Sequence, residues 1–274
     1  MAEPFASPTE NTWKTPTLSG AVRFPRTGEK PSQLVIYLHG MGGTGHSNVW
    51  FVEALQDAMP GAVFYVPDGL EPIDGNEETR QWFSIPKGFR DSWLTVHPDK
   101  LPPHAREKLE QMYENYNPAA LRVVEFIRER MEFHGITAKD TYVFGVSQGA
   151  MLGVQLIAES DLLADETPEG ELIPLGGVMI IAGCLLNAAE VEAHPSRSKP
   201  AFVLVHGSED TTVPYKGHLL TDRTLFKTGQ KTVTKVIWDK DHTFFEYQAM
   251  PDIIRLASEW GRRPGEKGLP SLSL

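Results

Sequence analysis

Short continuous apolar runs alternate along this chain with longer segments of helical periodicity, and this alternation limits the fold more than any other feature. The first clear run, Leu34–Leu38, is apolar at every position and is followed by His39 and Gly40. Runs without polar alternation are typical of strands buried on both faces, which occur mostly in parallel sheets. The pattern therefore predicts an α/β fold with helices on both faces of a mostly parallel sheet. Similar runs occur at Ala62–Val66, Thr141–Phe144, Val178–Ala182, Ala201–Val205 and Val233–Trp238.

The clearest helical segment is predicted from Asn117 to Phe133. Asn117 is a good N-cap residue, Pro118 suits the first helical position, and Gly135 is a good terminator. Its predicted apolar stripe consists of Leu121, Val124, Ile127 and Met131. Further helices are predicted at Val49–Met59, Gln148–Glu159, Lys216–Thr228 and Phe245–Trp260.

The length of 274 residues allows one or two domains, at roughly 150 residues per domain. The sequence has no internal repeat, and the strand and helix pattern continues over most of its length. We therefore predict a single domain over residues 17–261, preceded by an extension at 1–16 and followed by a loose tail at 262–274. Residues 84–116 and 160–175 interrupt the pattern and are predicted to be insertions, the first a candidate lid.

Charge and cysteine content exclude several classes of protein. Thirty-six acidic and 26 basic residues give a net charge of −10, which argues against binding to nucleic acid or anionic lipid. The single cysteine, Cys184, excludes an internal disulfide and a multi-cysteine metal site. The first residues lack the features of a signal peptide, and the most apolar stretch, Leu175–Leu186, is shorter than the ~20 residues of a membrane helix. We expect a cytoplasmic protein without a membrane span.

The sharpest motif is Gly145-Val146-Ser147-Gln148-Gly149, between a predicted strand and a predicted helix. A serine with glycines two positions away on each side is typical of the nucleophile elbow, whose tight turn exposes the serine at a helix N-terminus. The alternative is an ordinary turn in which the serine caps the helix, but this alternative does not explain both glycines. We predict Ser147 to be a catalytic nucleophile.

A serine nucleophile needs a base and an acid that orients the base, and in this fold they follow in the order Ser, Asp, His. His242 follows the last predicted strand, and Asp210 follows the strand before it. We predict these two as base and acid. The competing acids are Glu209, Asp239 and Asp241, and the competing histidines are His194, His206 and His218, with His206 read as a packed structural residue.

A glycine-rich loop, His39-Gly40-Met41-Gly42-Gly43-Thr44-Gly45, follows the first predicted strand. Such a loop can bind phosphate, but the loop lacks the lysine of a P-loop, and no acidic ribose partner follows at the spacing of a dinucleotide site. With a serine turn downstream, the loop is better explained as half of an oxyanion hole. We predict the backbone amides of Met41 and Gln148 as its donors.

Together these motifs resemble the phospholipase/carboxylesterase family of α/β-hydrolases, which includes the acyl-protein thioesterases. The resemblance is carried, over roughly residues 17–260, by LHGMGGTGHS, the pair Trp82-Phe83, GVSQG, HGSEDTTVP and His242. It implies a serine esterase or thioesterase that acts on small to medium acyl esters, without a cofactor or a metal. It also implies that Ser147, Asp210 and His242 form the triad and that Met41 and Gln148 supply the oxyanion amides.

The sequence departs from the family pattern near the expected substrate site. Ala182-Gly183-Cys184-Leu185 stands where the family has Ser-Gly-Trp-Leu, so Cys184 is a candidate wall of the acyl pocket, with an inert buried thiol as the alternative. Trp82 is a second candidate substrate-binding residue. The competing functions are another serine hydrolase on this fold, such as a peptidase or a feruloyl or polyester esterase, and a non-catalytic ligand-binding relative. The oligomeric state is not predicted.

Overall fold

An eight-stranded sheet forms the centre of the molecule in the computed structural model, which describes residues 12–15, 17–244 and 249–262. Two further pairs of short strands lie outside this sheet. In chain order the strands are β1 (Thr12–Lys14), β2 (Ser19–Arg23), β3 (Gln33–Leu38), β4 (Ala62–Pro67), β5 (Glu71–Ile73), β6 (Asn76–Gln81), β7 (Thr141–Val146), β8 (Asp165–Glu166), β9 (Leu172–Ile173), β10 (Gly177–Ile181), β11 (Ala201–Gly207) and β12 (Lys231–Ile237).

The strand order of the large sheet is β1-β2-β4-β3-β7-β10-β11-β12. The pairs from β4 through β12 are parallel, and only β1 and β2 run antiparallel to their neighbours. Every residue of β3, β4, β7, β10 and β11 is buried, as strands covered on both faces require. The predicted α/β-hydrolase fold is confirmed, and the carboxyl ends of β3, β7, β11 and β12 lie along one edge of the sheet.

Helices cover both faces of the sheet and divide the core in two. α1 and α7 pack on one face, and α2 to α6 contribute to the core on the other. In chain order the helices are α1 (Val49–Leu55), α2 (Pro103–His134), α3 (Gln148–Gln155), α4 (Ser160–Leu163), α5 (Ala188–Ala193), α6 (Tyr215–Lys227) and α7 (Met250–Arg262). Short 3-10 helices occupy Asp91–Thr95, Pro98–Lys100 and Ala138–Asp140.

The predicted start of the clearest helix, at Asn117, is wrong. α2 continues through Pro118, which lies inside the helix rather than at its first position. The helix instead begins after Pro102, with Pro103 at its first position, where a missing N–H costs nothing. Buried side chains recur at helical spacing on both sides of Pro118, so packing against the core compensates for the one backbone hydrogen bond that proline removes. These side chains are Ala105, Leu109, Met112, Tyr116, Ala119, Ala120, Val123, Val124 and Ile127.

The end of α2 follows the prediction, and its stripe follows it only in part. Gly135 ends the helix with φ 65°, a conformation that glycine adopts without strain. Val124 and Ile127 are buried as predicted, but Leu121 is 43 % exposed. The inward face is instead set by the pairs at 119–120 and 123–124, which place position 121 toward solvent.

The ends of the predicted domain also differ in detail. Part of the predicted N-terminal extension belongs to the sheet, since its residues 12–14 form β1 and pair with β2 at the edge. α7 begins at Met250, with Pro251 in its first turn, whereas residues 245–248 of the predicted helix lie outside the described residues. The predicted tail lies outside them as well, except for Arg262, which is the last residue of α7. The segment 160–175 forms α4 and the β8–β9 pair.

Candidate active site

Ser147 lies in the sharp turn between β7 and α3, with its backbone in the left-handed region at φ 53°. A Cβ on Gly145 would come within 2.5 Å of the carbonyl oxygen of Gly149, and a Cβ on Gly149 within 2.1 Å of the carbonyl oxygen of Leu38. Only glycine fits at either position, as the motif predicts. Positive φ at a residue other than glycine is unfavourable and is concentrated at functional sites.

His242 contacts both Ser147 and Asp210. Its Nε2 lies 2.8 Å from Ser147 Oγ, and its Nδ1 lies 2.7 Å from Asp210 Oδ2. An ionised carboxylate only accepts hydrogen bonds, so Nδ1 carries the proton and donates to Asp210. Nε2 of the neutral ring is then free to accept the hydroxyl proton of Ser147. Three segments far apart in the sequence thus meet at the carboxyl edge of the sheet.

The competing acids and histidines lie elsewhere. Glu209 and Asp239 are exposed, and the Asp241 carboxylate accepts hydrogen bonds from the backbone N–H and the hydroxyl of Thr243. His194 is exposed, and His218 is buried within α6. None of these side chains occupies the position next to His242 that Asp210 holds.

Asp210 is a buried carboxylate surrounded by donors. Its Oδ1 accepts the backbone N–H groups of Thr212 and Val213, at 3.0 and 2.9 Å. Its Oδ2 faces His242 and, at 3.2 Å, Nε2 of His206. Burial alone would raise the pKa of Asp210, but hydrogen bonds from His206 and His242 outweigh it and lower the pKa to about 2. Asp210 is therefore ionised at neutral pH.

The contact between His206 and Asp210 was not anticipated from the sequence. His206 Nε2 also lies 2.8 Å from the carbonyl oxygen of Val213, and because a carbonyl only accepts, Nε2 carries a proton. The nitrogen that carries this proton is also the one that lies 3.2 Å from Asp210 Oδ2. The spacing of four residues between His206 and Asp210, directly after a strand, is the signal that could have revealed the pair.

The glycine-rich loop passes directly over Ser147. A Cβ on Gly40 would lie 3.4 Å from the Cβ of Ser147. Residues at the end of β6 hold the loop in place, since Gly42 N–H donates to the carbonyl of Arg80 at 2.8 Å, and Arg80 N–H donates to the carbonyl of Gly43 at 3.3 Å. The loop that contains Met41 is therefore fixed by two backbone hydrogen bonds directly after that residue.

His39 supports the same loop from below. Its Nε2 accepts the N–H of Gly69 at 3.0 Å, so Nδ1 carries the proton that faces the carbonyl of Gly40 at 2.7 Å. Burial lowers the pKa of His39, which keeps the ring neutral and suited to this pair of hydrogen bonds. His39 therefore links the glycine-rich loop to Gly69.

Gln148, the first residue of α3, has a backbone N–H in the first helical turn and a side chain that holds a neighbouring segment. Its Oε1 accepts the N–H of Trp82, and its Nε2 donates to the carbonyl of Phe83, both at 2.8 Å. Trp82 is buried, and its indole N–H donates to the carbonyl of His39 at 2.8 Å. Trp82 does not border the cavity at Ser147, contrary to the prediction, because its ring packs beneath the glycine-rich loop.

An apolar cavity of about 240 Å³ opens beside Ser147. Met41 and Gln148 border it, so both predicted oxyanion residues lie at the same cavity as the serine. The predicted insertion at 84–116 provides much of the remaining wall. The lining residues are Met41, Phe83, Ile85, Phe89, Asp91, Leu94, Met112, Ser147, Gln148, Met151, Leu186, Thr212 and Val213.

Cys184 lies behind this cavity and does not line it. Its side chain is fully buried, and a Cβ on Gly217 of α6 would lie 3.4 Å from its Cβ. Burial raises the pKa of the thiol to about 12, with further contributions from the carboxylates of Asp210 and Asp91. The prediction that Cys184 forms a wall of the pocket is therefore wrong. The thiol is protonated, and α6 packs against it inside the protein.

Metal ligands do not converge at this site. Within residues 12–15, 17–244 and 249–262, no three His, Cys, Asp or Glu side chains are arranged to hold a metal ion. In the same ranges, no helix combines the length and the apolarity that crossing a bilayer requires.

A family model described as Phospholipase/Carboxylesterase matches residues 23–259. The chain belongs to this family. It is thus grouped with hydrolases that act on carboxylic ester bonds, as the motifs predict.

Individual relatives are distant. A probable inactive carboxylesterase of Oryza sativa subsp. japonica is 25% identical over 251 residues, which cover 89% of this chain and 92% of that protein. Esterase YpfH of Escherichia coli K12 is 23% identical over 219 residues, covering 78% of each chain. The crystal structure of esterase PE8 superposes with a TM-score of 0.68 at 22% identity, covering 90% of this chain and 99% of that one. The family thus includes a probable inactive member, so the chemistry of this chain has to be argued from its own residues.

Proposed function

We propose that this chain is a serine carboxylesterase that hydrolyses small to medium acyl esters through an acyl-enzyme intermediate. The observation that carries the proposal is the continuous hydrogen-bond chain from Asp210 through His242 to Ser147 Oγ. A probable inactive relative within the family makes this geometry, rather than family membership, the basis of the proposal.

In the proposed mechanism, Ser147 Oγ attacks the carbonyl carbon of the ester while His242 Nε2 takes the hydroxyl proton. Asp210, ionised and buried, holds the ring in the tautomer that can accept this proton and stabilises the imidazolium that forms. His242 then returns the proton to the departing alcohol, which leaves an acyl group on Ser147. Water repeats the sequence and releases the acid.

The tetrahedral intermediates need donors for their oxyanion, and we assign the backbone N–H groups of Met41 and Gln148 to this task. Both residues border the cavity at Ser147, and Gln148 stands at the start of α3, where the helix dipole favours negative charge. Removing one such donor typically slows acyl transfer by about 10²–10³.

The substrate class follows from the cavity. Its volume of about 240 Å³ and its mostly apolar lining fit a small to medium acyl chain. The same arrangement attacks esters and thioesters, so the leaving group has to be found by experiment.

The test is the hydrolysis of a series of nitrophenyl esters of increasing acyl length by the wild-type chain and by Ser147→Ala. We expect multiple turnovers by the wild type and a loss of about 10⁴-fold or more in kcat for the variant, as triad deletions cause elsewhere. A fluorophosphonate should label the wild type and leave Ser147→Ala unlabelled. A parallel set of thioesters and amides then defines the leaving group.

Ser92→Ala is the matched control, because Ser92 is an exposed serine near the cavity. It should keep both turnover and labelling. Turnover by Ser147→Ala at the wild-type rate would contradict the mechanism. Labelling of the wild type without any turnover would instead favour the ligand-binding alternative.

A further inference from the structure

Among the described residues that line the cavity at Ser147, Asp91 is the one ionisable side chain. Its neighbours in the lining are apolar side chains, among them Ile85, Phe89 and Leu94. Asp91 is exposed, so its carboxylate keeps its contact with water while it borders the cavity. An ester bound in the cavity therefore meets one carboxylate beside the apolar side chains of the wall.

The carboxylate of Asp91 has no cationic partner in the described part of the chain. No ion pair with a Lys, Arg or His side chain reaches it, although such pairs occur elsewhere, as between Arg23 and Glu53. Partial burial, and secondarily the nearby negative charge of Asp210, raise the pKa of Asp91. The two carboxylates thus act on each other across the site, and neither neutralises the other.

The position of Asp91 is well defined by packing. It is the first residue of the 3-10 helix Asp91–Thr95, in which Leu94 is buried. This short helix packs against α6 so closely that a Cβ on Gly217 would come within 2.9 Å of the carbonyl oxygen of Leu94. The carboxylate is consequently presented at the cavity by a fixed element rather than by a free loop.

We infer that Asp91 makes this cavity selective for esters that carry a cationic ammonium group. This inference rests on the proposed esterase function and names its substrate class. An ammonium group in the cavity would supply the charge that Asp91 lacks, and an anionic group would be repelled by both Asp91 and Asp210. The excess of acidic residues, with a net charge of −10, acts in the same direction on the approach of the substrate.

The test compares pairs of esters that differ only in charge. Acetylthiocholine is paired with its tert-butyl isostere, in which carbon replaces nitrogen, so that the cation lies on the leaving group. A nitrophenyl ester of trimethylammoniobutanoate and its tert-butyl isostere place the cation on the acyl group instead. For at least one pair we expect the wild type to favour the cationic ester by about twofold to fivefold in kcat/KM, because water screens the exposed carboxylate of Asp91.

Asp91→Asn should abolish this preference, with little change in kcat/KM for the neutral isosteres. Asp57→Asn is the matched control, since it removes the same charge from a carboxylate that is 82 % exposed and pairs with Arg26 at the surface. It should keep the preference. Hydrolysis of the neutral esters without a preference for the cationic ones, or a preference that survives Asp91→Asn, would overturn the inference while leaving the esterase function intact.

A binding measurement separates the inference from turnover. Calorimetric titration of choline and of its uncharged tert-butyl isostere into Ser147→Ala needs no hydrolysis. Choline should bind about twofold to fivefold more tightly than the isostere, and the double variant with Asp91→Asn should bind the two equally. Equal binding by Ser147→Ala itself would refute a cation site, whereas absence of ester turnover together with selective choline binding would refute only the esterase function.

Discussion

Asp210 shows how a single residue at this site depends on two histidines. His242 occupies one side of its Oδ2, and His206, buried behind it, reaches the same oxygen at 3.2 Å. His206 touches neither Ser147 nor the cavity, so it acts through Asp210 as a positioning residue. Its ring packs against His218 and Tyr215 of α6, which keep it from rotating away.

We predict that His206→Leu lowers kcat by about tenfold or more with little change in KM, because Asp210 loses a donor and is held less firmly toward His242. His206→Asn, which keeps an N–H donor, should recover part of the loss. Steady-state kinetics on one nitrophenyl ester measures both variants. A drop in stability without any change in kcat would show that His206 serves packing alone.

At the level of single residues, the sequence was most informative where motif and backbone agree. Ser147 and its two flanking glycines could be predicted, because a Cβ at either glycine collides with backbone. The direction of Trp82 could not be predicted, since it depends on a hydrogen bond from the indole to the carbonyl of His39 in a loop far away in sequence. Asp91 was missed because a single carboxylate in an irregular segment gives no motif.

Among the secondary structure elements, α2 departs most from its prediction. It has 32 residues and passes through Pro118, although proline removes a backbone hydrogen bond and disfavours the helical conformation of the preceding residue. Local rules placed a helix start at Asn117, where they are usually right. Packing of the buried face on both sides of Pro118 stabilises the helix more than proline destabilises it. A sequence segment read on its own does not reveal such packing with distant residues.

We predict that Pro118→Ala raises the free energy of unfolding by about 1–2 kcal/mol. Pro118 is exposed, so its removal costs little packing, while the new N–H could donate to the carbonyl of Glu114 one turn earlier. Urea unfolding followed by circular dichroism measures the change. Glu125→Ala, an exposed substitution in the same helix, should shift stability by no more than about 0.5 kcal/mol.

A decrease in stability for Pro118→Ala would mean that the core has adapted to the local distortion at the proline. The early part of α2 would then be shaped by Pro118, and with it the position of Met112 in the cavity wall. This outcome would be visible as a changed preference for acyl length.

Over the whole molecule, three buried histidines on different elements have a lowered pKa. Burial is the main cause, and it lowers the pKa of His134 to about 4 and that of His218 to about 3; the pKa of His39 is lowered as well. The positive charges of Arg130 and Lys30 contribute at His134, and the neighbouring His206 ring contributes at His218. In the folded protein these rings therefore resist protonation well below their ordinary pKa.

We predict that the free energy of unfolding decreases as the pH falls below about 6.5, because the unfolded chain then binds protons that the folded protein does not. Stability from this source is fully present above the unfolded pKa and is lost progressively toward the folded values. Below the unfolded pKa, His134 and His218 should each contribute a slope of about 1.4 kcal/mol per pH unit. Urea titrations between pH 7 and pH 5 measure the slope.

His218→Leu should reduce this slope by about 1.4 kcal/mol per pH unit, the contribution of one buried ring. His194→Asn is the control, because this side chain is exposed in the folded protein and should leave the slope unchanged. A slope that is the same in His218→Leu and in the wild type would contradict the assignment of acid sensitivity to buried rings.

The architecture as a whole was the most predictable part of the chain. Each of the six apolar runs forms a strand. A strand buried on both faces is apolar at nearly every position, so it can be recognised from its own sequence alone. The antiparallel strands β1 and β2 were not predicted, since edge strands are short and carry a mixed pattern. The cavity could not be predicted at all, because its walls come from β-strand ends, α2 and the irregular segment between them.

The side chain of Gln148 forms its hydrogen bonds with main-chain atoms, the N–H of Trp82 and the carbonyl of Phe83. Any amino acid at position 83 keeps that carbonyl, while its side chain faces the cavity. Because Phe83 is buried and packs on Tyr116, position 83 can accept other large apolar side chains while the hydrogen bonds to Gln148 are kept. A library of variants at position 83 should therefore change the substrate specificity and leave the geometry of the turn at Ser147 unchanged.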